Sequence, residues 1–416
     1  MIRHLLKLVW KRKRASALLT LEILISFLVL FGVGMLAATG ILRYRKPLGF
    51  DYNHVWVASI SIPQLENPTS TSETNSSGWE ARMRERRAPE APFRADLDRI
   101  MRELRAMPQI ESVAATGAPA YSGSHWDSTT TFEGRRVRMT RDSVTDGYEK
   151  VMRMKLVRGR WFGSEDDAAN LPPMIIDTDL AKEMFPGREA LGQKFSFDEG
   201  NDFRIVGVVE PFRKRGEFSE EKVQMAFDRV SLNGWRGEFP RAIVIRVKPG
   251  TPAEFEEALT AQLHALAPDY RIRIRHMDAM RVAMNQEFVA PVVVGVIVSA
   301  FLIGMVALGL SGVLWQNVTR RRREIGLRRA LGATGSSVHR QILIEVALLA
   351  TLAVAIGVII VAQLPILGIF KLVTPVSYAI GLAAALATIY ALTLVCGLYP
   401  SWLAGRIQPA EALHYE

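Results

Sequence analysis

The stretch "NVTRRRREIGLRRALGATGSS", residues 317–337, sets six arginines and Glu324 between two long apolar runs. Guanidinium groups at that density can bind the phosphates of a nucleic acid, hold a chain at an anionic membrane surface, or meet a protein partner. A second stretch, "YSGSHWD", brings Ser122, Ser124, His125 and Asp127 together, the side-chain types of a nucleophilic hydrolase. It has no nucleophile-elbow context and reads as a polar loop, so no catalytic residue is assigned there. The seven histidines are scattered and no HExxH or CxxC spacing occurs, which leaves a metal site unsupported. The single cysteine, Cys396, lies in an apolar run and cannot form an intrachain disulfide.

The elements around the arginine block decide which chemistry applies. With 416 residues, 49% hydrophobic and 23% charged, the chain reads as membrane spans joined to a large folded domain. Four apolar segments, 15–38, 288–314, 342–364 and 377–398, each reach the roughly 20 residues that cross a bilayer core of about 30 Å. The first follows Lys11, Arg12, Lys13 and Arg14 and is longer than a signal-peptide core, so it reads as a retained helix. Glu22 and Glu345 fall within two turns of basic segment ends, close enough to reach the headgroup zone or pair with an arginine.

Charge sets the orientation. Residues 1–14 and 315–341 each carry a net +6, whereas residues 39–287 hold 37 basic and 37 acidic side chains. The excess of the +10 chain therefore sits beside membrane spans on one face. The positive-inside rule makes that face cytoplasmic, with the 1–14 segment, the 315–341 segment and the 399–416 tail inside and residues 39–287 outside. A charge-balanced outer domain gives no reason to expect nucleic acid as a partner.

Residues 39–287 read as a folded domain. "HVWVASISI" alternates like a strand, and "NPTSTSETNSSG" (Asn67–Gly78) reads as a polar loop whose Asn75 sequon is a chance match. Phe93, Leu97, Ile100, Met101 and Leu104 recur at the spacing of an amphipathic helix. "PMIIDTDLAKEMFPG" passes from a buried strand into a short helix, "DFRIVGVVEPF" and "RAIVIRVKPG" are further strands, and "TPAEFEEALTAQLHAL" is a helix. The expected fold class is an integral membrane protein of four transmembrane helices with a large α+β domain inserted between the first and second.

Specific phrases carry a resemblance. "VRGRWFGSEDD" (Val157–Asp167), "DLAKEMFPGREALGQKF" (Asp179–Phe195) and "FRIVGVVEPFR" (Phe203–Arg213) resemble the periplasmic core of MacB-type ABC transporter permeases. "RRRREIGLRRALGATGSSVHRQILIE" and "YPSWLAGRIQPAEALHYE" resemble the FtsX-like permease domain, taken as 288–410. The resemblance implies a bacterial inner-membrane permease that works as a homodimer or with a related copy. It implies a cytoplasmic ABC ATPase subunit as driver, with a periplasmic adaptor, an outer-membrane duct and membrane lipid as further contacts. The sequence contains no GxxxxGK[ST] loop, so the ATPase is expected on a separate chain and this chain is expected to bind no cofactor, ATP and Mg belonging to the partner. The function implied is export or efflux driven by periplasmic motion. The alternatives left open are mechanotransmission to an envelope partner such as a cell-wall hydrolase, and lipoprotein release.

On a helical wheel over 321–334, Leu327, Ala330, Leu331 and Ala333 share one face and Arg321, Arg322, Arg328 and Arg329 the other, with Ile325 among the arginines. That places Ile325 as an exposed apolar knob with a polar rim, a pattern of protein contacts. The resemblance identifies this segment with the family's coupling helix, so Glu324, Ile325, Gly326, Leu327, Arg328, Arg329 and Leu331 are the residues expected to contact the ATPase.

Overall fold

The computed structural model describes residues 13–61, 90–123, 126–196, 202–219, 224–230, 240–331, 334–366 and 373–405. The Asn67–Gly78 loop, the basic residues before Lys13, Ser124, His125 and the chain beyond Gly405 lie outside them. In chain order the elements are α1 (Lys13–Tyr44), β1 (Val55–Ser61), α2 (Glu90–Ala106), β2 (Ile110–Thr116), β3 (Trp126–Phe132), β4 (Arg135–Val144), α3 (Tyr148–Met152) and β5 (Leu156–Gly159). They continue with β6 (Pro173–Asp177), α4 (Thr178–Met184), β7 (Lys194–Ser196), β8 (Asp202–Val209), β9 (Met225–Arg229), β10 (Ala242–Val247), α5 (Glu254–Leu266) and β11 (Arg271–His276). The last four are α6 (Met277–Arg320), α7 (Arg322–Ala330), α8 (Gly335–Gln363) and α9 (Pro375–Gly405).

Contacts divide the chain into two compact units, Arg43–Glu287 and the remainder. The first is built on one mixed sheet of order β11-β1-β10-β2-β4-β9-β6-β8-β5, with β3 on β4 and β7 on β8. Among the described residues only β4 with β9 and β6 with β8 pair in parallel; the other ladders are antiparallel, which fits the α+β expectation. β2 meets β4 at the single pair Thr116↔Val144, so the sheet has two halves joined at a narrow waist. Leu97, Ile100, Met101 and Leu104 of α2 are all buried, as their spacing predicts, and pack with Leu259 and Leu263 of α5 over Trp56, Ile243 and Ile245. α4 covers the other half through Leu180 and Met184, on Met174, Ile176 and Ile205. Phe50, Tyr121, Tyr148, Phe212 and Phe227 fill a third core, which Met277 and Met280 of α6 also enter.

Among the described residues four helices are long and apolar enough to cross a bilayer. All four are longer than the apolar segments read from sequence, α1 and α6 extending at the ends next to the inserted domain. α1 has 32 residues and α6 has 44, about 48 and 66 Å at 1.5 Å per residue. The apolar run read from sequence ends at Ala38, but α1 continues through Gly40, Ile41 and Leu42 to Tyr44, and Pro47 then disfavours helical backbone at Lys46. The helices pack on Phe27, Phe31 and Met35 of α1, Val306 and Leu310 of α6, Val354 of α8 and Ile389 of α9. At Gly381 a Cβ would lie 2.7 Å from the backbone N of Met35, so only glycine lets α9 approach α1 there.

Candidate coupling site

The arginine block forms a short helix between two membrane helices. α6 ends at Arg320, and a turn follows in which the Arg321 N–H donates to Val318 O at 3.2 Å. The Ile325 N–H then reaches Arg321 O at 2.9 Å and opens α7. Thr334 caps α8, its Oγ1 accepting from the Ser337 N–H at 3.4 Å.

The side chains turn the opposite way from the wheel. Ile325 is only 7% exposed and sits in a small apolar cluster with Val318, Val338 and Ile342, and Gly326 beside it is buried. Leu327 is 53% exposed and Leu331 is 81% exposed. Ile325 is therefore not an exposed knob. The wheel took 321–334 as one free helix, whereas α7 is nine residues long and lies on the ends of α6 and α8, which bury the one apolar side chain within their reach.

A polar brace fixes that orientation. Arg321 Nη1 donates to both Glu345 carboxylate oxygens, at 3.0 and 3.1 Å, and Gln341 Nε2 reaches the same carboxylate at 3.3 Å. Arg328 donates to Gln341 Oε1 at 3.0 Å and pairs with Glu324. Glu345 thus pairs with an arginine, one of the two roles its position allowed. Two of the arginines are committed to ordering α7 against α8. What the described side chains of α7 and the residue after it offer outward is Leu327 and Leu331, one turn apart on one face, rimmed by Glu324 and Arg328. Arg329 occupies a backbone position on the same helix.

A second arrangement, in the domain, has no counterpart in the sequence reading. The loop after β8 clasps the residues at which α1 ends and α6 begins. Arg213 donates to Arg43 O at 2.7 Å and Lys46 O at 3.3 Å, and Arg43 Nη1 returns a bond to Phe218 O at 3.0 Å. The buried Glu217 carboxylate accepts from Arg281 of α6, whose guanidinium also lies 4.7 Å from the Tyr52 ring centroid. The turn needs Gly216, at φ +84°, because a Cβ there would lie 2.5 Å from the Tyr121 ring. Burial, with Glu217 beside it, pushes the Tyr121 phenol well above its ordinary value. From the same loop, Lys214 Nζ reaches Asp142 Oδ2 in a fully buried ion pair at 3.1 Å. Burial raises the Asp142 carboxyl and Lys214 opposes the rise. The available signal in the sequence is "EPFRKRGEF", three consecutive basic residues between two glutamates just after a strand.

Asp127 is held by Arg138 at 2.6 Å and by Thr140 at 2.7 Å, which makes it a strand-pairing residue. Among the described residues no group of three or more metal-ligating side chains converges.

Among the described residues the chain combines four membrane-length helices, a mixed-sheet domain after the first and an ordered basic helix between the second and third, the plan of a multispan membrane protein with one large inserted domain. The chain belongs to the MacB-like periplasmic core domain family, which matches residues 17–262, and its residues 296–409 match the FtsX-like permease C-terminal domain. The macrolide export ATP-binding/permease protein MacB of Azoarcus sp. (strain BH72) is 25% identical over 326 residues, covering 76% of this chain and 48% of that one. The ABC transporter permease YknZ of Bacillus subtilis (strain 168) is 24% identical over 283 residues, covering 67% and 70%. The chain spans about half the length of the MacB relatives it matches. The solved periplasmic region of MacB from Actinobacillus actinomycetemcomitans aligns at 14% identity over 57% of this chain and 94% of that one, with a TM-score of 0.37, too low to add to the assignment.

Proposed function

We propose that this chain is the transmembrane subunit of an ABC exporter, in which a separate cytoplasmic ATPase binds α7 and drives motion of the domain that expels substrate. The observation that carries the reading is the outward pair Leu327 and Leu331 on a helix whose own polar groups are braced against α8. An ordered helix with exposed leucines and a charged rim suits a groove in a partner, since ordering costs are met before binding. ATP closes two ATPase subunits, two copies of the permease shift with them, and the loop at 213–219 receives the displacement because it is bonded both to Arg43 and to Arg281. ATP and Mg sit on the ATPase. The membrane is the bacterial inner membrane, with both termini cytoplasmic, and a periplasmic adaptor and outer-membrane duct would complete an efflux route.

Co-purification of the cognate ATPase tests this. Leu327→Asp with Leu331→Asp places two carboxylates where a groove would desolvate them, at a cost of several kcal/mol. Each 1.4 kcal/mol is tenfold in affinity, so the ATPase should be lost. Arg322→Gln, which removes one basic charge and leaves both leucines, should keep it. Retention by the double aspartate variant overturns α7 as the contact.

A further inference from the structure

β11 is the outermost strand on its side of the sheet, paired with β1 alone among the described residues. Its sequence RIRIRH splits by face. Ile272 and Ile274 turn into the core under α2 and α5, and Arg271, Arg273 and Arg275 are exposed on the other face. Alternate residues of a strand recur at about 6.8 Å, so three guanidinium groups stand in a row at that pitch. Ser59 lies opposite Arg273 and Ser61 opposite Arg271 on β1. With His264 and Ile272 these residues line a groove of about 500 Å³, and no carboxylate of the described residues lines it.

Many other arginines of the domain are held in ion pairs. Arg153 is paired with Asp51 and Glu111, Arg160 with Asp166, Arg229 with Asp146 and Asp167, and Arg281 with Glu217. Arg273 and Arg275 make no ion pair or side-chain hydrogen bond with any described residue. Charge on an edge strand also blocks unwanted strand pairing, for which lysine is the commoner residue. Consecutive planar forks match carboxylates in two-point contacts, and a strand laid along β11 presents its own alternate side chains at the same 6.8 Å pitch, about one per arginine.

We propose that the face formed by Arg271, Arg273 and Arg275 docks an extended acidic segment of a protein partner, added along the edge of β11 with carboxylates at alternate positions. This goes beyond the ATPase coupling and does not depend on it.

The test uses the full chain in zwitterionic nanodiscs and two labelled decapeptides of equal composition, one alternating Glu and Thr, the other with all Glu before all Thr. The alternating peptide should bind at least tenfold more tightly than the block peptide, and Arg273→Gln with Arg275→Gln should weaken it at least tenfold while the melting temperature holds. Arg273→Glu with Arg275→Glu should instead select an alternating Lys–Thr peptide. Equal binding of the two Glu peptides, an unaltered affinity in the glutamine variant, or binding of neither peptide overturns the proposal, the last leaving edge protection as the role of the strip. Displacement of the alternating peptide by equimolar inorganic phosphate also overturns it, in favour of a phosphate site.

Discussion

Arg321 and Glu345 join the turn after α6 to the body of α8, one guanidinium nitrogen lying 3.0 and 3.1 Å from the two carboxylate oxygens. Their side chains are about one-fifth exposed, so neither is fully solvated. Removing one partner leaves the other charge uncompensated beside an apolar span, a loss on the order of 3–5 kcal/mol for buried pairs and less at this exposure. Glu345 therefore serves as the anchor of α7, and the position of Ile325 follows from it.

Arg321→Gln or Glu345→Gln should free α7 and speed tryptic cleavage at Arg328 severalfold in the intact, membrane-embedded chain. The exchanged pair Arg321→Glu with Glu345→Arg should slow it again. Cleavage unchanged in all three variants would show that the apolar cluster of Val318, Ile325 and Val338 holds the helix alone.

Much of the fold was legible in the sequence because its signals are local. The spacing of Leu97, Ile100, Met101 and Leu104 states which side of a helix faces a core, and the unbroken apolar runs of β6 and β10 mark strands buried on both faces. The candidate site was not legible to the same degree. Whether Ile325 or Leu327 faces inward depends on Val318 and Val338 on the neighbouring helices, which a wheel of one segment does not contain. The clasp was hidden for a similar reason, since Arg43, Glu217 and Arg281 are far apart in sequence and each reads alone as a surface charge.

Orientation is tested by fusing a reporter that works only outside the cytoplasm. It should be active after Ser72 and silent after Gly335, because the +6 clusters at 1–14 and 315–341 both stay inside. The reverse pattern would invert the assignment of every loop.

Asp177 predicts a pH dependence. It caps α4, accepting from the Leu180 N–H at 2.7 Å and the Met225 N–H at 2.9 Å, yet burial outweighs both bonds and lifts its carboxyl to about 7. Below pH 4 the group is protonated folded or unfolded and contributes nothing. Between pH 4 and 7 the unfolded chain has lost the proton that the folded chain keeps, so stability falls as pH rises, and above 7 the loss is complete. A displacement of about three units is roughly 4 kcal/mol at 1.36 kcal/mol per unit. Asp177→Asn removes the titration, so denaturant unfolding of the full chain in detergent should show the variant gaining on the parent by about 3 kcal/mol from pH 4.5 to pH 8, the first part of the loss lying below pH 4.5. A constant difference across that range would mean the carboxylate is ionised in the fold throughout.

The clasp makes the sharpest prediction about mechanism. Glu217 is buried and paired with Arg281, while Arg213 in the same loop holds Arg43 O and Lys46 O. Glu217→Gln keeps the shape of the side chain and removes its charge, releasing α6 from the loop and leaving α1 bound. Loss of a buried partner costs about 3–5 kcal/mol, so the loop should loosen while the three cores around it remain. α7 is untouched, and the ATPase should still co-purify and hydrolyse ATP. Transport should fall at least tenfold, giving hydrolysis uncoupled from export. The exchange Glu217→Arg with Arg281→Glu should restore part of it. If Glu217→Gln transports normally, force does not pass through this carboxylate; if it loses the ATPase as well, the loop acts on folding and the clasp has no separate role in coupling.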